Sequence, residues 1–467
     1  MKKIIILALL SLNASAQFLA SAPPTEIEIK VNNANNISEV LKLAAIARGK
    51  KDYKGFEQAM EKAVRLKPHV PILSYQLAQA YALNDSKTKA FDTLIGIQKQ
   101  GIYFDLAIDP SFDNIKSYPV FNYIKENIDV NGEHHGSGVQ SFNISKSFSG
   151  LLFESLAFDA NSQSFLMGSI RDGRIIKIAA KDGEISTLIE PTKGGLEGPW
   201  SSIDMAIDEK NDILWVASSA ISQFGKISKE SSGLSAIFKY KLSNGQLLQS
   251  FKIPGKKGPS LFSAIHLTNK GELFIVDPLN KAVLKIGKGD KQISLAFSTP
   301  KYNSLRSITA DETGEILYLS DSEQGIIVIS LKTQKFITIE NSGSLSLLGI
   351  TDLIYDDNGL IFIQNGFKPE RIMRIELKAD KATVKNVFAI ESAHPLFNSP
   401  SYGVVIGQGL YYIANSQIPK TNRMGGLLSG QQWQDMYVLS SAKHYQEQSS
   451  LDYKKQIKSY KNSSGVN

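Results

Sequence analysis

Residues 305–321 read LRSITADETGEILYLSD, and this stretch carries the repeating unit that decides the fold of most of the chain. An apolar strand leads into a polar turn at Thr313-Gly314, and a second strand follows with the triplet Leu317-Tyr318-Leu319 at its centre. Short apolar runs separated by turn residues are typical of antiparallel strands. Matching triplets occur at Phe165-Leu166-Met167, Leu214-Trp215-Val216, Leu273-Phe274-Ile275, Ile361-Phe362-Ile363 and Tyr411-Tyr412-Ile413.

Successive triplets are 49, 59, 44, 44 and 50 residues apart, close to the roughly 40 to 50 residues of a four-stranded propeller blade. We therefore predict a six-bladed β-propeller over residues 139–442, with a polar surface loop at 222–232 in its long second unit. The last unit ends near Leu439 and lacks a strand, whereas a strand-like run at 140–148 precedes the first unit. We expect the early strand to complete the last blade, because closure removes exposed sheet edges.

Residues 37–130 follow a different pattern, in which apolar residues recur at helical spacing. The segment matches itself at an offset of 34 residues, so that Leu43-Ala44 aligns with Leu77-Ala78 and Met60 with Leu94. This offset resembles the tetratricopeptide repeat (TPR) over about two copies. The predicted fold class is thus α+β in two domains, a short TPR-like α-helical repeat followed by an all-β propeller. The helical domain is interpreted either as a docking surface for a protein partner or as a structural cap on the propeller.

Residues 131–138 show no periodicity and are interpreted as a linker. His134 and His135 lie in it, but adjacent residues on an extended chain point to opposite sides. We therefore do not expect this pair to bind one metal ion together.

The N-terminus has the pattern of a secretory signal peptide, residues 1–16. Lys2 and Lys3 precede an apolar run from Ile4 to Leu12, and Ala14-Ser15-Ala16 follows, with cleavage after Ala22 as an alternative. The apolar run is shorter than the about 20 residues of a membrane span. We expect a periplasmic or secreted protein with no transmembrane segment after signal removal.

The composition excludes several classes of site. There is no cysteine, so disulfides, thiolate metal sites and a cysteine nucleophile are excluded. The formal charge is +7, and the lysines are scattered without arginine clusters, so no nucleic-acid partner is expected. Residues 443–467 form a polar C-terminal tail.

In a propeller, the innermost strand of each blade lines a central channel, so a site takes one or two residues from each blade. The predicted ring is Glu154-Ser155, Ile203-Asp204, Ser263-Ala264, Arg306-Ser307, Thr351-Asp352 and Tyr402-Gly403. Asn365 follows the triplet strand of the fifth unit and is added to the candidate ligand-binding residues, which are Arg306, Thr351, Tyr402, Ser263 and Asn365. His266 lies within an inner strand and is interpreted as a packed core residue.

The propeller segment resembles the gluconolactonase-like family, which includes the regucalcin or senescence-marker-protein propellers and is NHL-like in its repeats. The resemblance covers about residues 140–440. The stretches that carry it are residues 154–159, 213–218, 364–366, 400–405 and 412–417.

The resemblance implies one divalent metal ion in the channel, Ca²⁺, Zn²⁺ or Mn²⁺, with Glu154 at the position of the family's glutamate ligand. Asp204 and Asp352 are the other candidate metal ligands and the candidate catalytic acids. Arg306 and Thr351 occupy places where the family has Asn and Asp ligands, which weakens the match.

Two functions follow from these observations. The favoured hypothesis is an exported, non-catalytic envelope binding or scaffold protein, which binds a small ligand in the propeller channel or a protein partner through its TPR-like helices. The alternative is a metal-dependent lactonase-like hydrolase acting on a sugar lactone or related ester. In that case the metal would polarise the carbonyl and an acid such as Asp204 would act as the general base. Without a metal, Arg306 is suited to an anionic or sugar-acid ligand.

Overall fold

The computed structural model describes residues 24–68, 70–255, 258–339 and 345–444. The predicted signal peptide and all of the predicted tail beyond His444 lie outside these ranges. Within them, the helices that precede the β-domain are α1 (Glu26–Asn33), α2 (Ile37–Gly49), α3 (Tyr53–Leu66), α4 (Pro71–Leu83), α5 (Lys87–Lys99) and α6 (Pro119–Asn131). None of the helices in the described part of the chain is long and apolar enough to cross a bilayer.

The helices form two consecutive pairs, α2 with α3 and α4 with α5, and α3 also packs on α4. The second pair repeats the first at an interval of 34 residues, since α2 begins at Ile37 and α4 at Pro71. Small buried side chains such as Ala47 and Ala78 allow the helices to approach closely. Each of the two sequence segments that match at this offset therefore forms one packed pair of helices.

The face of α4 that a longer helical array would leave open is covered by the chain's own segment 102–112. Phe104 stacks on Tyr75 with ring centroids 4.1 Å apart, and the Tyr75 hydroxyl donates to Asp109 at 2.6 Å. Arg48 of α2 donates to Ser111 at 3.1 Å. Because Leu106 and Phe112 are fully buried, this segment is part of the helical core.

The β-domain contains six four-stranded sheets. Strand β1 spans Val139–Ile144. Blade one consists of β2 (Phe153–Asp159), β3 (Ser164–Ser169), β4 (Ile175–Ala179) and β5 (Ile185–Ile189). Blade two consists of β6 (Ser201–Asp208), β7 (Ile213–Ser219), β8 (Ser235–Lys241) and β9 (Leu247–Phe251). Blade three consists of β10 (Ala264–Leu267), β11 (Leu273–Asp277), β12 (Ala282–Ile286) and β13 (Ser294–Ser298). Blade four consists of β14 (Leu305–Ala310), β15 (Ile316–Asp321), β16 (Gly325–Ser330) and β17 (Phe336–Thr338). Blade five consists of β18 (Ile350–Asp356), β19 (Gly359–Gln364), β20 (Arg371–Leu377) and β21 (Val384–Ser392). Blade six consists of β22 (Gly403–Ile406), β23 (Gly409–Ile413) and β24 (Met436–Ala442) together with β1.

The first strands of neighbouring blades contact one another in a closed ring, from β2 through β6, β10, β14 and β18 to β22 and back to β2. The predicted six-bladed propeller is therefore confirmed. Each predicted triplet lies in the second strand of its blade. These strands are almost completely buried, as in β11 and β19, because they lie between the sheets on either side.

The ring is closed by strand β1, which pairs antiparallel with β24 as the outermost strand of blade six. This is the closure expected from the sequence. The strand is shorter than the expected run at 140–148, because Ser145 caps a short helix, Lys146–Ser149. N-terminal and C-terminal segments thus share one sheet and leave no open gap in the ring.

The helical domain is attached to the propeller through a buried arginine on blade five. Arg371 donates to the carbonyl oxygens of Gln100 and Gly101 at the end of α5, at 3.1 and 3.2 Å. It also donates to Gln364 at 2.8 Å. Gly101 has φ +67°, and a Cβ there would lie 2.8 Å from the guanidinium, so glycine permits this contact.

A second attachment lies above blade four, where Lys67 forms an ion pair with Glu323. Phe367, in the β19–β20 connection, packs against the helical core, and the Tyr103 amide donates to the Lys368 carbonyl at 2.9 Å. These contacts place the turn between α3 and α4 over the propeller channel.

Candidate functional site

The candidate site is built on irregularities in the inner strands. Register shifts occur in β2 between Phe153 and Leu156, in β6 between Ser202 and Asp204, in β14 between Leu305 and Ile308 and in β18 between Ile350 and Asp352. A bulge inserts an extra residue and redirects the side chains around it. Four of the six predicted residue pairs lie at these bulges, so the bulges aim the channel-lining side chains.

The channel is divided into two cavities by Tyr402, which lines both. The mouth cavity, of about 620 Å³, is lined by Val70, Pro71, Glu154, Ser263, Arg306, Ser322, Glu323, Leu348, Gly349, Thr351, Asn365, Gly366, Phe367, Ser399, Ser401, Tyr402, Ser416, Ile418 and Pro419. The inner cavity, of about 280 Å³, is lined chiefly by apolar residues together with Asp204, His266, Ser307, Thr309, Asp352 and Tyr355.

The predicted pairs are split between the two cavities in a regular way. The first residue faces the mouth in the pairs of Glu154, Ser263, Arg306 and Thr351. The second residue faces the inner cavity in the pairs of Asp204, Ser307 and Asp352. The structure thus brings Glu154, Arg306, Thr351, Ser263 and Asn365 together in the mouth cavity and places Asp204 and Asp352 in the inner cavity, and Tyr402 lines both.

Glu154 is the carboxyl group of the mouth cavity. Its carboxylate accepts a hydrogen bond from the Ser416 hydroxyl, which comes from the long connection after β23. The Glu154 side chain is partly exposed and lines the mouth cavity. Burial raises the pKa of Glu154 to about 7, and the Ser416 bond opposes this only in part. Glu154 is therefore largely uncharged below neutral pH and suited to donate a hydrogen bond.

Arg306 is the cation of the mouth cavity and is exposed to it. Its Nε donates to the Ser322 hydroxyl at 3.2 Å, and its carbonyl oxygen accepts from Ser263 at 3.3 Å. No ion pair joins Arg306 to a carboxylate among the residues that the structure describes. The guanidinium therefore presents donors to whatever enters the cavity.

Asp204 and Asp352 connect neighbouring inner strands. Asp204 in blade two accepts from the amide of Ile265 in blade three at 2.8 Å. Asp352 in blade five accepts from the amide of Gly403 in blade six and from the Ser307 hydroxyl, each at 2.9 Å. Each carboxylate also accepts from the amide of the residue that follows it. Both acids thus fasten one blade to the next.

The environment of these two acids disfavours their charge. Burial, with the nearby charge of Asp352, raises the pKa of Asp204 to about 7, although two backbone amides oppose the shift. Burial also raises the pKa of Asp352. His266 lies in the same cavity, and burial lowers its pKa to about 4, so it is neutral at physiological pH. Burial raises the pKa of Tyr402 well above its usual range, and the nearby charges of Asp204, Glu154 and Asp352 add to this effect.

The mouth cavity does not fit the divalent metal site that the resemblance implies. A hard cation needs about six to eight oxygen ligands. Two carboxylates line this cavity, Glu154 and Glu323, and Glu323 is paired with Lys67. Asp204 and Asp352 lie beyond Tyr402 and already accept two to three hydrogen bonds each. Arg306 faces the same space and would repel a cation.

Several residues of the mouth cavity were not predicted from the sequence. Val70 is the N-cap residue of α4 and Pro71 is the first residue of that helix, whereas Ile418 and Pro419 come from the β23–β24 connection. They add apolar surface to a cavity whose other lining residues are largely polar. Ser401 also lines the cavity, and its buried hydroxyl has no hydrogen-bond partner among the residues that the structure describes. No local pattern marks these residues, because their role depends on how distant segments pack.

No protein-family model and no curated protein sequence matches the chain. Solved structures with a similar fold include the PQQ-bound aldose sugar dehydrogenase of Streptomyces coelicolor, at 12% identity and a TM-score of 0.44, covering 67% of this chain and 100% of that one. A putative 6-phosphogluconolactonase from Bacteroides uniformis is 14% identical with a TM-score of 0.39, and the match covers 55% of this chain and 76% of that one. The major Malassezia sympodialis allergen Mala s 1 is 13% identical with a TM-score of 0.47, and the match covers 67% of this chain and 99% of that one. At these values the likeness carries no inference about activity.

Proposed function

We propose that this chain is an exported, non-catalytic binding protein of the cell envelope, whose mouth cavity binds a small, hydroxyl-rich acid such as a sugar acid. The observation that carries the proposal is the position of Arg306, a guanidinium without a carboxylate partner among the described residues, at the floor of a roofed cavity. Export rests on the N-terminal sequence pattern alone.

The charges of the cavity favour an anionic ligand. Glu323 lines the cavity but is paired with Lys67, and burial keeps Glu154 largely uncharged below pH 7. Arg306 then supplies the net charge of the cavity. Guanidinium groups bind carboxylates through two parallel hydrogen bonds, so a carboxylate is the matching ligand group.

The other polar groups of the cavity favour a ligand with several hydroxyls. Hydroxyl and amide side chains line the same cavity as Arg306, namely Ser263, Ser322, Thr351, Asn365, Ser399, Ser401, Tyr402 and Ser416. The volume of about 620 Å³ lies within the range of about 300 to 1,000 Å³ common for small-molecule sites. Hydroxyl-rich ligands need many such short-range partners for orientation.

The helical domain is proposed to be TPR-like in origin and to serve chiefly as the roof of this cavity. Its Val70 and Pro71 form one wall, and segment 102–112 covers the face of α4 on which an extended peptide would lie. A protein partner of the helical domain would have to use its outer faces.

The second candidate function is the metal-dependent lactonase-like hydrolase. One observation favours it, since a carboxyl group with a pKa near 7 is suited to proton transfer. The ligand set around Glu154 is unfavourable, so the hydrolase would require stoichiometric metal lost on Glu154→Ala.

A thermal-shift screen tests the proposal. Purified protein is heated with gluconate, glucuronate and galacturonate, and with glucose as the uncharged control. We expect at least one acid to raise the Tm in proportion to the logarithm of its concentration. Arg306→Ala should abolish the shift, whereas Arg423→Ala, which removes an exposed guanidinium outside the cavity, should retain it. Equal shifts in the two variants, or no shift with any acid, would contradict the proposal.

A further inference from the structure

A buried cluster of two histidines and a glutamate lies where the linker meets the propeller, away from both channel cavities. One ring nitrogen of His134, one of His394 and a carboxylate oxygen of Glu391 all lie within 4.8 Å of one another. It is the one group of three such side chains found within the described ranges. His134 comes from the linker, and Glu391 is the penultimate residue of strand β21 in blade five.

The cluster is well ordered by its neighbours. His134 Nε2 lies 2.8 Å from Glu391 Oε1, and the two histidine rings are nearly perpendicular with centroids 5.0 Å apart. The other carboxylate oxygen, Oε2, accepts from the Gly138 amide at 2.8 Å and from the Ser441 hydroxyl at 3.0 Å. Oε1 is thereby aimed at the histidine.

The linker is shaped around this carboxylate. A Cβ at Gly136 would lie 2.3 Å from Glu391, and one at Gly138 would lie 2.7 Å from its Oε2. Gly136 also has φ +122°, a conformation that other residues rarely adopt. Two glycines therefore allow the linker backbone to enclose a side chain that has no solvent-exposed surface.

Two histidines and a glutamate form a donor set that suits Zn²⁺ with one position left for water. We propose that His134, Glu391 and His394 bind a zinc ion that fastens the linker to blade five. Zinc would take the place of the proton shared between His134 and Glu391. The hydrogen bonds to Oε2 would remain and orient the carboxylate, as outer partners of metal ligands commonly do.

Binding has a definite local cost at His394. The Leu396 amide donates to His394 Nδ1 at 3.1 Å. Coordination through Nδ1 would use that lone pair, and coordination through Nε2 would move the neutral ring's proton to Nδ1. Either way the Leu396 amide loses its acceptor, so its hydrogen exchange should become faster in the zinc-bound protein.

This site is independent of the proposed ligand in the mouth cavity. It would act on the connection between the two domains, since the linker follows α6 and its residue His135 pairs with Ser392 through backbone hydrogen bonds of 2.9 and 2.7 Å. The sequence offers a matched control in His135, whose ring lies 3.3 Å from the Ala389 carbonyl rather than in the cluster.

The test uses tag-free protein stripped with a chelator and then titrated with Zn²⁺, and with Co²⁺ as an optical probe. We expect one equivalent of zinc, a higher Tm that EDTA reverses, and visible Co²⁺ bands typical of a four-coordinate site. His134→Ala and Glu391→Gln should lose all three, and His135→Ala should keep them.

The proposal is overturned if the native protein binds no stoichiometric metal, or if His134→Ala and His135→Ala bind it equally well. Glu391 is enclosed, so its variant needs a far-UV circular dichroism check. His134 is 12% exposed, so His134→Ala is expected to fold and decides the question if Glu391→Gln does not.

Discussion

Replacement of Glu154 by glutamine should change how the stability of the protein depends on pH. The pKa of Glu154 is raised by burial from an ordinary value of 4.5 to about 7. In the native state the group keeps its proton where the unfolded chain has released it. The native state therefore loses stability as the pH rises from about 4.5 to about 7, and the loss is complete above that range.

The size of the effect follows from the shift. One pKa unit corresponds to about 1.4 kcal/mol, so linkage gives at most about 2.5 kcal/mol between pH 5 and pH 8. Water in the mouth cavity screens part of this, and we expect about 1 to 2.5 kcal/mol. Glutamine has no proton to lose and can still accept from Ser416. The free energy of unfolding of Glu154→Gln, relative to wild type, should therefore increase by this amount between the two pH values.

Urea unfolding at pH 5 and pH 8, followed by tryptophan fluorescence, measures the difference. Glu184→Gln is the matched control, because it removes an exposed carboxylate from the same blade. A difference between wild type and Glu154→Gln that is the same at both pH values would refute the argument that this carboxyl is held uncharged.

Two further variants test the contacts that connect the blades and the domains. Asp352→Ala should lower the free energy of unfolding by about 2 kcal/mol, because it leaves the Gly403 amide and the Ser307 hydroxyl without their acceptor. Asp352→Asn should lower the free energy of unfolding by less, and an Asp352→Ala variant as stable as wild type would contradict the role of Asp352. Arg371→Met should lower the free energy of unfolding by about 3 kcal/mol, because the carbonyls of Gln100 and Gly101 lose their donor. In calorimetry the helical domain and the propeller of this variant should unfold in separate transitions, and a single unchanged transition would contradict the role of Arg371.

The fold was accessible from the sequence because its signal is local. Each triplet, such as Leu317-Tyr318-Leu319, lies in a second strand that is covered on both faces, and burial on both faces demands large apolar residues. Turn residues mark the spacing between strands. The closing strand β1 was likewise predicted, because the last unit lacks a strand and a strand-like run precedes the first unit.

The candidate site was predictable only in part. Position just before the apolar stretch of each inner strand identified Glu154, Arg306 and Thr351, but strand alternation and bulges decide which cavity each side chain enters. Asp204 and Asp352 thus belong to the same ring of pairs as Glu154 and yet lie on the other side of Tyr402.

Contacts between distant segments gave no sequence signal. Val70 enters the mouth cavity only because Arg371 and Lys67 hold the helical domain against the propeller. His134 meets Glu391 across 257 residues of chain, and the linker glycines Gly136 and Gly138 are required by that same distant carboxylate.

The central claim is that Arg306 and an uncharged Glu154 together bind a small acid in the mouth cavity. Its most direct test is isothermal titration calorimetry of the best acid from the thermal-shift screen, at pH 6 and pH 8. Ionisation of Glu154 above pH 7 places a negative charge beside the ligand, so the wild-type Kd should rise at pH 8, whereas that of Glu154→Gln should stay constant and Arg306→Ala should not bind at either pH. A wild-type Kd that is the same at pH 6 and pH 8, or undiminished binding by Arg306→Ala, would contradict the claim.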